Sequence, residues 1–194
     1  MGNYFKWIAG IIAAYFLLDD NKAAIPTKPP TSVPPTSTTF QPVYFAPPLE
    51  PMRMRNDTLG AGHFGARRRK VVNGVEVRYE HRGLDLKSMY KYQSVKSPIT
   101  GYIKRYAHPY ESDLKWEGCL IIGEGIYTGY TVKMFYMMPN MIGVPVRAGQ
   151  NIGQMQNISE KHGRAMDNHL HIEIRKNGFL LDPAIFLLQG EPIA

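Results

Sequence analysis

From Met52 onward the chain is cut into short pieces by turn residues. Pro98, Gly118, Gly123, Gly125, Gly129, Pro139 and Gly143 bound runs of only a few apolar residues. Proline removes a ladder donor and glycine marks turns and bulges, so such pieces read as strands joined by turns. Val71-Val72, then Asn73-Gly74, then the alternation from Val75 to Tyr79 predicts a hairpin on a type I′ turn. Further strands are expected over 101–105, 119–122, 131–136 and 169–174. Only the end reads as helix, with Asp182 as N-cap, Pro183 at the first helical position and an apolar stretch over 184–188. The expectation is one mainly β domain over 52–194, an antiparallel sheet with a short C-terminal helix and no internal repeat.

Two segments of different character precede it. Trp7 to Leu18 is uncharged and mostly apolar, between Lys6 and the pair Asp19-Asp20. As a helix it spans roughly 18 Å, or about 22 Å from Tyr4 with Lys6 snorkelling, against a hydrocarbon core of roughly 30 Å. A cleaved signal peptide, a short membrane anchor and a helix held in an assembly all fit that length. Ala23-Ala24 after Lys22 makes a poor cleavage site, so the expectation is an uncleaved anchor over 1–24, its partner in lipid or protein met through residues 4–18. The positive-inside rule then leaves the rest of the chain outside the cytoplasm. Residues 25–51 hold nine of the chain's 15 prolines. They read either as a linker in polyproline II, reaching up to about 84 Å, or as a disordered tail.

Composition narrows the partners and the chemistry. Lys and Arg number 23 against 16 Asp and Glu, a formal charge of +7 that favours polyanions such as nucleic acid, anionic lipid or cell wall. The densest run, Arg67 to Lys70, comes with neither a stacking-aromatic pattern nor a helix-turn-helix, so it reads as a solvated turn or a wall-facing patch and nucleic acid is not expected. With Cys119 the single cysteine, disulfide frameworks and multi-cysteine metal sites are excluded, and any metal must be held by His and carboxylate. Cys119 itself, beside the apolar run 120–122, reads as a buried small residue, and the methionines 134, 137, 138 and 141 as packing or groove lining.

Two patterns carry chemistry. His81-Arg82-Gly83-Leu84-Asp85 follows the hairpin, and His169-Leu170-His171 opens the strand that continues Ile172-Glu173-Ile174. Residues two apart on a strand share a face, so His169 and His171 look the same way. Imidazole and carboxylate suit zinc, and three such ligands with an open fourth position acidify water and polarise a carbonyl, as amide hydrolysis requires. Spacing alone leaves this reading open beside the commoner one, hydrogen-bonded structural histidines. His63, His108 and His162 lack partners at ligand spacing and read as surface or turn residues.

The wider pattern resembles the lysostaphin-type, or LytM-type, zinc metallopeptidases, with its duplicated hybrid motif fold. It runs in order through Gly62-His63-Phe64-Gly65-Ala66-Arg67, His81 to Asp85, Ser97-Pro98-Ile99-Thr100-Gly101, the turn Val144 to Gly153, His169 to Glu173 and Asp182-Pro183. The resemblance implies a β groove, one zinc and cleavage of peptidoglycan cross-links. It places His81, Asp85 and His171 as zinc ligands and His169 as a catalytic histidine. One departure stands out: where the family has a second catalytic histidine in Tyr-x-His-Leu, this chain has Phe135-Tyr136-Met137-Met138, with Met137 at the histidine's place. The stretch Val132 to Tyr136 also resembles the leukocyte cell-derived chemotaxin branch, which implies zinc without peptidase activity. Two expectations follow. One is a zinc peptidoglycan endopeptidase in which Tyr136, Tyr130 or His108 replaces the missing donor, anchored at the envelope exterior or carried by a phage particle that opens the wall during entry. The other is a catalytically silent zinc module that binds wall peptide or a protein partner, or is a structural part of a virion or envelope assembly.

Overall fold

Strands form wherever alternating residues run uninterrupted for a few positions. The computed structural model describes residues 44–188; the anchor expected over 1–24 and the linker up to residue 43 lie outside the described residues. Strands β1 (Asn56–Asp57) and β2 (Gly60–Ala61) pair as a small ribbon. Next comes the hairpin of β3 (Arg67–Val72) and β4 (Val75–Glu80), turned by Asn73 and Gly74 at φ of 51° and 78°. Both central residues lie in the left-handed region, as a type I′ turn demands.

The body follows. It comprises β5 (Leu84–Lys87), β6 (Ser94–Lys96), β7 (Gly101–Tyr106), β8 (Gly118–Gly123), β9 (Tyr130–Phe135) and β10 (Met137–Pro139). After these come β11 (Pro145–Val146), β12 (Asn151–Met155), the single-turn helix α1 (Ser159–His162), β13 (His169–Lys176), β14 (Phe179–Leu181) and the helix α2 (Ala184–Leu187). The Asp182 carboxylate accepts the Ala184 N–H at 2.9 Å at the start of α2, one residue before Pro183, which takes the N-cap position expected of Asp182. The larger sheet runs β11-β7-β8-β9-β13-β14, with β5 on the free edge of the first half of β13; a second sheet runs β10-β12-β6. Every pairing is antiparallel. Among the described residues, no helix is long and apolar enough to cross a membrane.

One core joins the two sheets. Ile103, Ile121, Val132, Met134, Leu170 and Ile172 come from the larger sheet, and Val95, Met137, Ile152 and Met155 from the smaller. Along β13 the alternation is strict: Leu170, Ile172 and Ile174 are fully buried in this core, which turns His169, His171 and Glu173 to the opposite face. The core also reaches further towards the N-terminus than the boundary expected at residue 52. Phe45 and Leu49 are buried in it, Ala46 donates to the Pro98 carbonyl and Lys96 to the Pro48 carbonyl, so residues 44–51 pack as a strap rather than as linker.

Where β9 leaves the larger sheet for β10 in the smaller, the ladder holds a bulge. The Glu117 carbonyl accepts from both Tyr136 N–H at 2.7 Å and Met137 N–H at 3.2 Å, and Tyr136 sits at φ 66°. Two residues thus face one, which shifts the alternation by a position and re-aims the side chains beyond it.

Candidate metal centre

Register builds the centre. His171 on β13 lies directly opposite Asp85 on β5 and Phe135 on β9, so one cross-strand row carries carboxylate, imidazole and ring. His81 joins from the turn after β4, its N–H bonded to the Ala66 carbonyl. Nε2 of His81 stands 3.0 Å from Nδ1 of His171 and 3.1 Å from Oδ1 of Asp85, and the latter two atoms are 2.9 Å apart. The edge of a zinc tetrahedron with bonds of about 2.0 Å is about 3.3 Å, so these three donors are close to the spacing a bound ion would impose. They can hold a metal ion, and two imidazoles with one carboxylate are a set that suits zinc.

The groups behind the donors fix their orientation. Nδ1 of His81 lies 2.8 Å from the His63 carbonyl, an outer hydrogen bond that leaves Nε2 as the nitrogen facing Asp85 and His171, where a metal would sit. His171 turns Nε2 towards Glu173, 3.6 Å away, and Glu173 is held by Lys133 at 2.8 Å. Asp85 offers Oδ1 to the histidines because Oδ2 is taken by buried Arg55, at 3.0 Å from Nη2, and by Arg68 at 3.4 Å. Arg55 in turn grips both oxygens of Asp57, at 3.0 and 2.9 Å. Such outer partners set tautomer and basicity in metal sites. Burial opposes the charge on Asp85, yet hydrogen bonds from His171 and His81 hold its carboxyl well below the usual range. Burial likewise opposes charge on His171, but Asp85 and Glu173 outweigh it and raise its pKa. Glu173 is drawn down to about 2 because its bonds with His171 and Lys133 overcome its burial.

His169 stands beside this set without joining it. Its Nε2 is 3.9 Å from Oδ1 of Asp85, and its Nδ1 donates to the Asp167 carbonyl at 2.8 Å. Burial pulls its pKa down to about 4, so the ring is neutral at ordinary pH and presents a free lone pair, the state a general base needs. Tyr136 packs edge-on against it with ring centroids 5.1 Å apart, and Phe135 stacks on His171 at 5.6 Å. His81, Asp85, Phe135, Tyr136, His169 and His171 line a cleft of about 660 Å³, with Arg69, Lys70, Arg82, Tyr110 and His162 also on its walls.

The sequence-predicted residues fall into two groups. His81, Asp85, His169, His171 and Tyr136 meet in the cleft. Tyr130 packs instead on Phe45 and Phe186, and His108 bonds the Trp116 carbonyl, so neither lines the cleft. Met137 packs, as the reading of the methionines expects, but it does not occupy the histidine's place in the cleft: the bulge turns it into the core, fully buried, with its sulfur 3.9 Å from that of Cys119. The cleft position falls to Tyr136, one residue earlier. Arg68 is corrected too, since it is not a solvated turn residue but a partner of Asp85, whereas Arg67 is exposed. Arg55 was not singled out from sequence at all; an arginine flanked by methionines in Met52-Arg53-Met54-Arg55 carries no signal of burial.

No protein-family model matches the chain, and no curated protein matches it. Solved structures do. The chain resembles peptidases of the lysostaphin type. A zinc containing peptidase from Vibrio cholerae is 21% identical over 72% of this chain and 39% of that one, with a TM-score of 0.49. The catalytic domain of the antimicrobial peptidase lysostaphin from Staphylococcus simulans is 23% identical over 66% and 91%, with a TM-score of 0.48. The SpoIIQ-SpoIIIAH pore forming complex matches at 22% identity over 65% and 77%, with a TM-score of 0.45. This chain therefore spans well under half of the Vibrio cholerae peptidase.

Proposed function

We propose that this domain is a zinc-dependent endopeptidase acting on the peptide cross-links of bacterial peptidoglycan. The observation that carries the reading is the convergence of His81, Asp85 and His171 at ligand spacing beside a neutral His169 and the Tyr136 phenol, in one open cleft. Zinc, when bound there, supplies the Lewis acid that acidifies water and polarises a carbonyl. His169 accepts the proton of the attacking water at Nε2 and returns it to the leaving amine. Tyr136 donates its hydroxyl hydrogen to the carbonyl oxygen as negative charge develops; burial raises its pKa, so it stays protonated for that task. Arg69, Lys70 and Arg82 give the cleft a basic rim suited to a peptide that carries carboxylates. The same proposal tethers the domain through residues 4–18 and the proline-rich stretch, outside the cytoplasmic membrane or in a phage particle that opens the wall.

A second reading rests on one specific observation. Among the described residues, no second histidine occupies the Phe135-Tyr136 position of the cleft, which favours a module that grips wall peptide or a protein partner without cutting it. A paired measurement on the full chain separates the two: zinc by elemental analysis, then release of soluble fragments from purified peptidoglycan, with His171→Ala as control. Stoichiometric zinc with release that vanishes in the variant supports the enzyme. Stoichiometric zinc with no release from any wall type establishes the binding module instead.

A further inference from the structure

Behind Tyr136 runs a chain of hydroxyl and imidazole groups that the proposed reaction does not yet use. The Tyr136 and Tyr110 hydroxyls lie 3.3 Å apart, and the Tyr110 hydroxyl lies 2.7 Å from Nε2 of His162. Tyr110 comes from the loop between β7 and β8, His162 from the end of α1. The two segments are pinned by Asp113, which accepts from Lys161 at 2.7 Å and from the Trp116 indole at 3.0 Å. Lys161 also sits 4.3 Å above the Tyr110 ring, where its charge draws electron density from the phenol and makes its O–H a stronger donor.

This chain has two proton arrangements. With Nε2 of His162 bare, Tyr110 donates to it, and the Tyr110 oxygen is free to attract the Tyr136 proton away from the cleft. With Nε2 protonated, His162 donates to Tyr110, Tyr110 donates to Tyr136, and the Tyr136 O–H has only the cleft left to serve. Resting on the endopeptidase reading, we propose that Tyr110 and His162 are positioning residues that hold the Tyr136 hydroxyl proton towards the cleft, for the oxygen that turns negative. A neutral His162 suffices, because the second arrangement needs only the Nε2–H tautomer. Burial and Lys161 lower the His162 pKa, in keeping with a neutral ring. Hydrogen bonds in series polarise one another, so the aimed phenol donates more strongly than an isolated one.

The test uses full-chain variants with purified peptidoglycan as substrate. Tyr136→Phe should lower kcat about 100-fold at unchanged KM, the loss typical of one oxyanion donor. Tyr110→Phe and His162→Leu should each lower kcat about 10-fold, and neither should add to the loss in the Tyr136→Phe background. His162→Gln, whose side-chain amide keeps an N–H that can donate to Tyr110, should keep most of the activity. Losses that add in the Tyr136→Phe background, or that appear in KM alone, overturn the relay, as does a His162→Gln variant no better than His162→Leu. Nitrogen-15 NMR of the histidine side chains reads the relay without hydrolysis: Tyr110→Phe should shift the His162 tautomer balance while leaving His81 unchanged. If the wild type cuts no wall, the endopeptidase reading fails by itself, and the relay then stands on that shift or falls with its absence.

Discussion

Gly83 sets how closely the two ligand-bearing segments approach. A Cβ there would clash with the Ile172 carbonyl oxygen and lie 2.7 Å from Cε1 of His171, so the backbone entering β5 or that of β13 would have to move. Gly83→Ala should therefore remain folded, at a cost of about 1–3 kcal/mol for overpacking, yet lose stoichiometric zinc. Elemental analysis beside a urea midpoint checks both halves, and a variant with full zinc content would show that β13 yields without disturbing His171. Arg55 makes a complementary case, because it neutralises Asp57 and Asp85 where neither reaches solvent freely. Arg55→Ala should destabilise the metal-free protein by about 3–5 kcal/mol, the usual consequence of stranding buried charge. The loss should be smaller with zinc present, since a cation at Oδ1 relieves part of the same charge on Asp85. Urea unfolding of both proteins with and without zinc measures that difference.

Elements differ in how much of the centre depends on them. The β3-β4 hairpin leaves Val71, Val72, Val75 and Val77 exposed near its tip, whereas its base carries Arg68 to Asp85. Gly74→Ala at the tip places a side chain at φ 78° and should cost about 1–2 kcal/mol, while zinc affinity is unchanged because the base keeps its contacts. Chelator competition and a thermal melt together test this separation of tip from base. The hairpin, the strands near residues 101, 119, 131 and 169, and the place where α2 starts were legible in the sequence because each rests on local pattern: turn chemistry, alternation, or Asp182 before Pro183. His81, Asp85, His169 and His171 were legible through their motifs. The bulge at Tyr136 was not, since it arises from Glu117 accepting two N–H groups across the ladder, a pairing between residues far apart in sequence. That one-residue slip is why Met137, aligned with a catalytic position by simple counting, is a core residue. Arg55 and Arg68 escaped for a related reason: a buried arginine is recognised by the carboxylate it meets, and that meeting is tertiary.

At the scale of the whole domain, stability and metal binding draw on separate faces of the same sheet. The strap at residues 44–51 belongs to the first: Phe45 packs on Tyr127, Tyr130 and Phe186 with centroids 5.6, 5.3 and 5.0 Å away, and Leu49 is 1% exposed. A chain trimmed to begin at Met52 should lose several kcal/mol, on the scale of about 3–5 kcal/mol for deleting one buried Phe, visible as a lowered urea midpoint. The metal donors belong to the second face. In a small zinc-dependent fold, metal binding is itself the folding energy, and chelation unfolds the chain. Here the core joins both sheets without help from His81, Asp85 or His171, so chelation should leave the β-sheet signal in far-ultraviolet circular dichroism intact. What changes is the linkage term: zinc at about 100 times its dissociation constant adds about 2.7 kcal/mol of stability. For a domain of this size that corresponds to a rise in Tm of roughly 10 °C, which His171→Ala should abolish without lowering the metal-free Tm to the same extent. A chain that unfolds on chelation would instead place the metal among the determinants of the fold, and would require the core around Leu170 and Ile172 to depend on the row of ligands on the other face of β13.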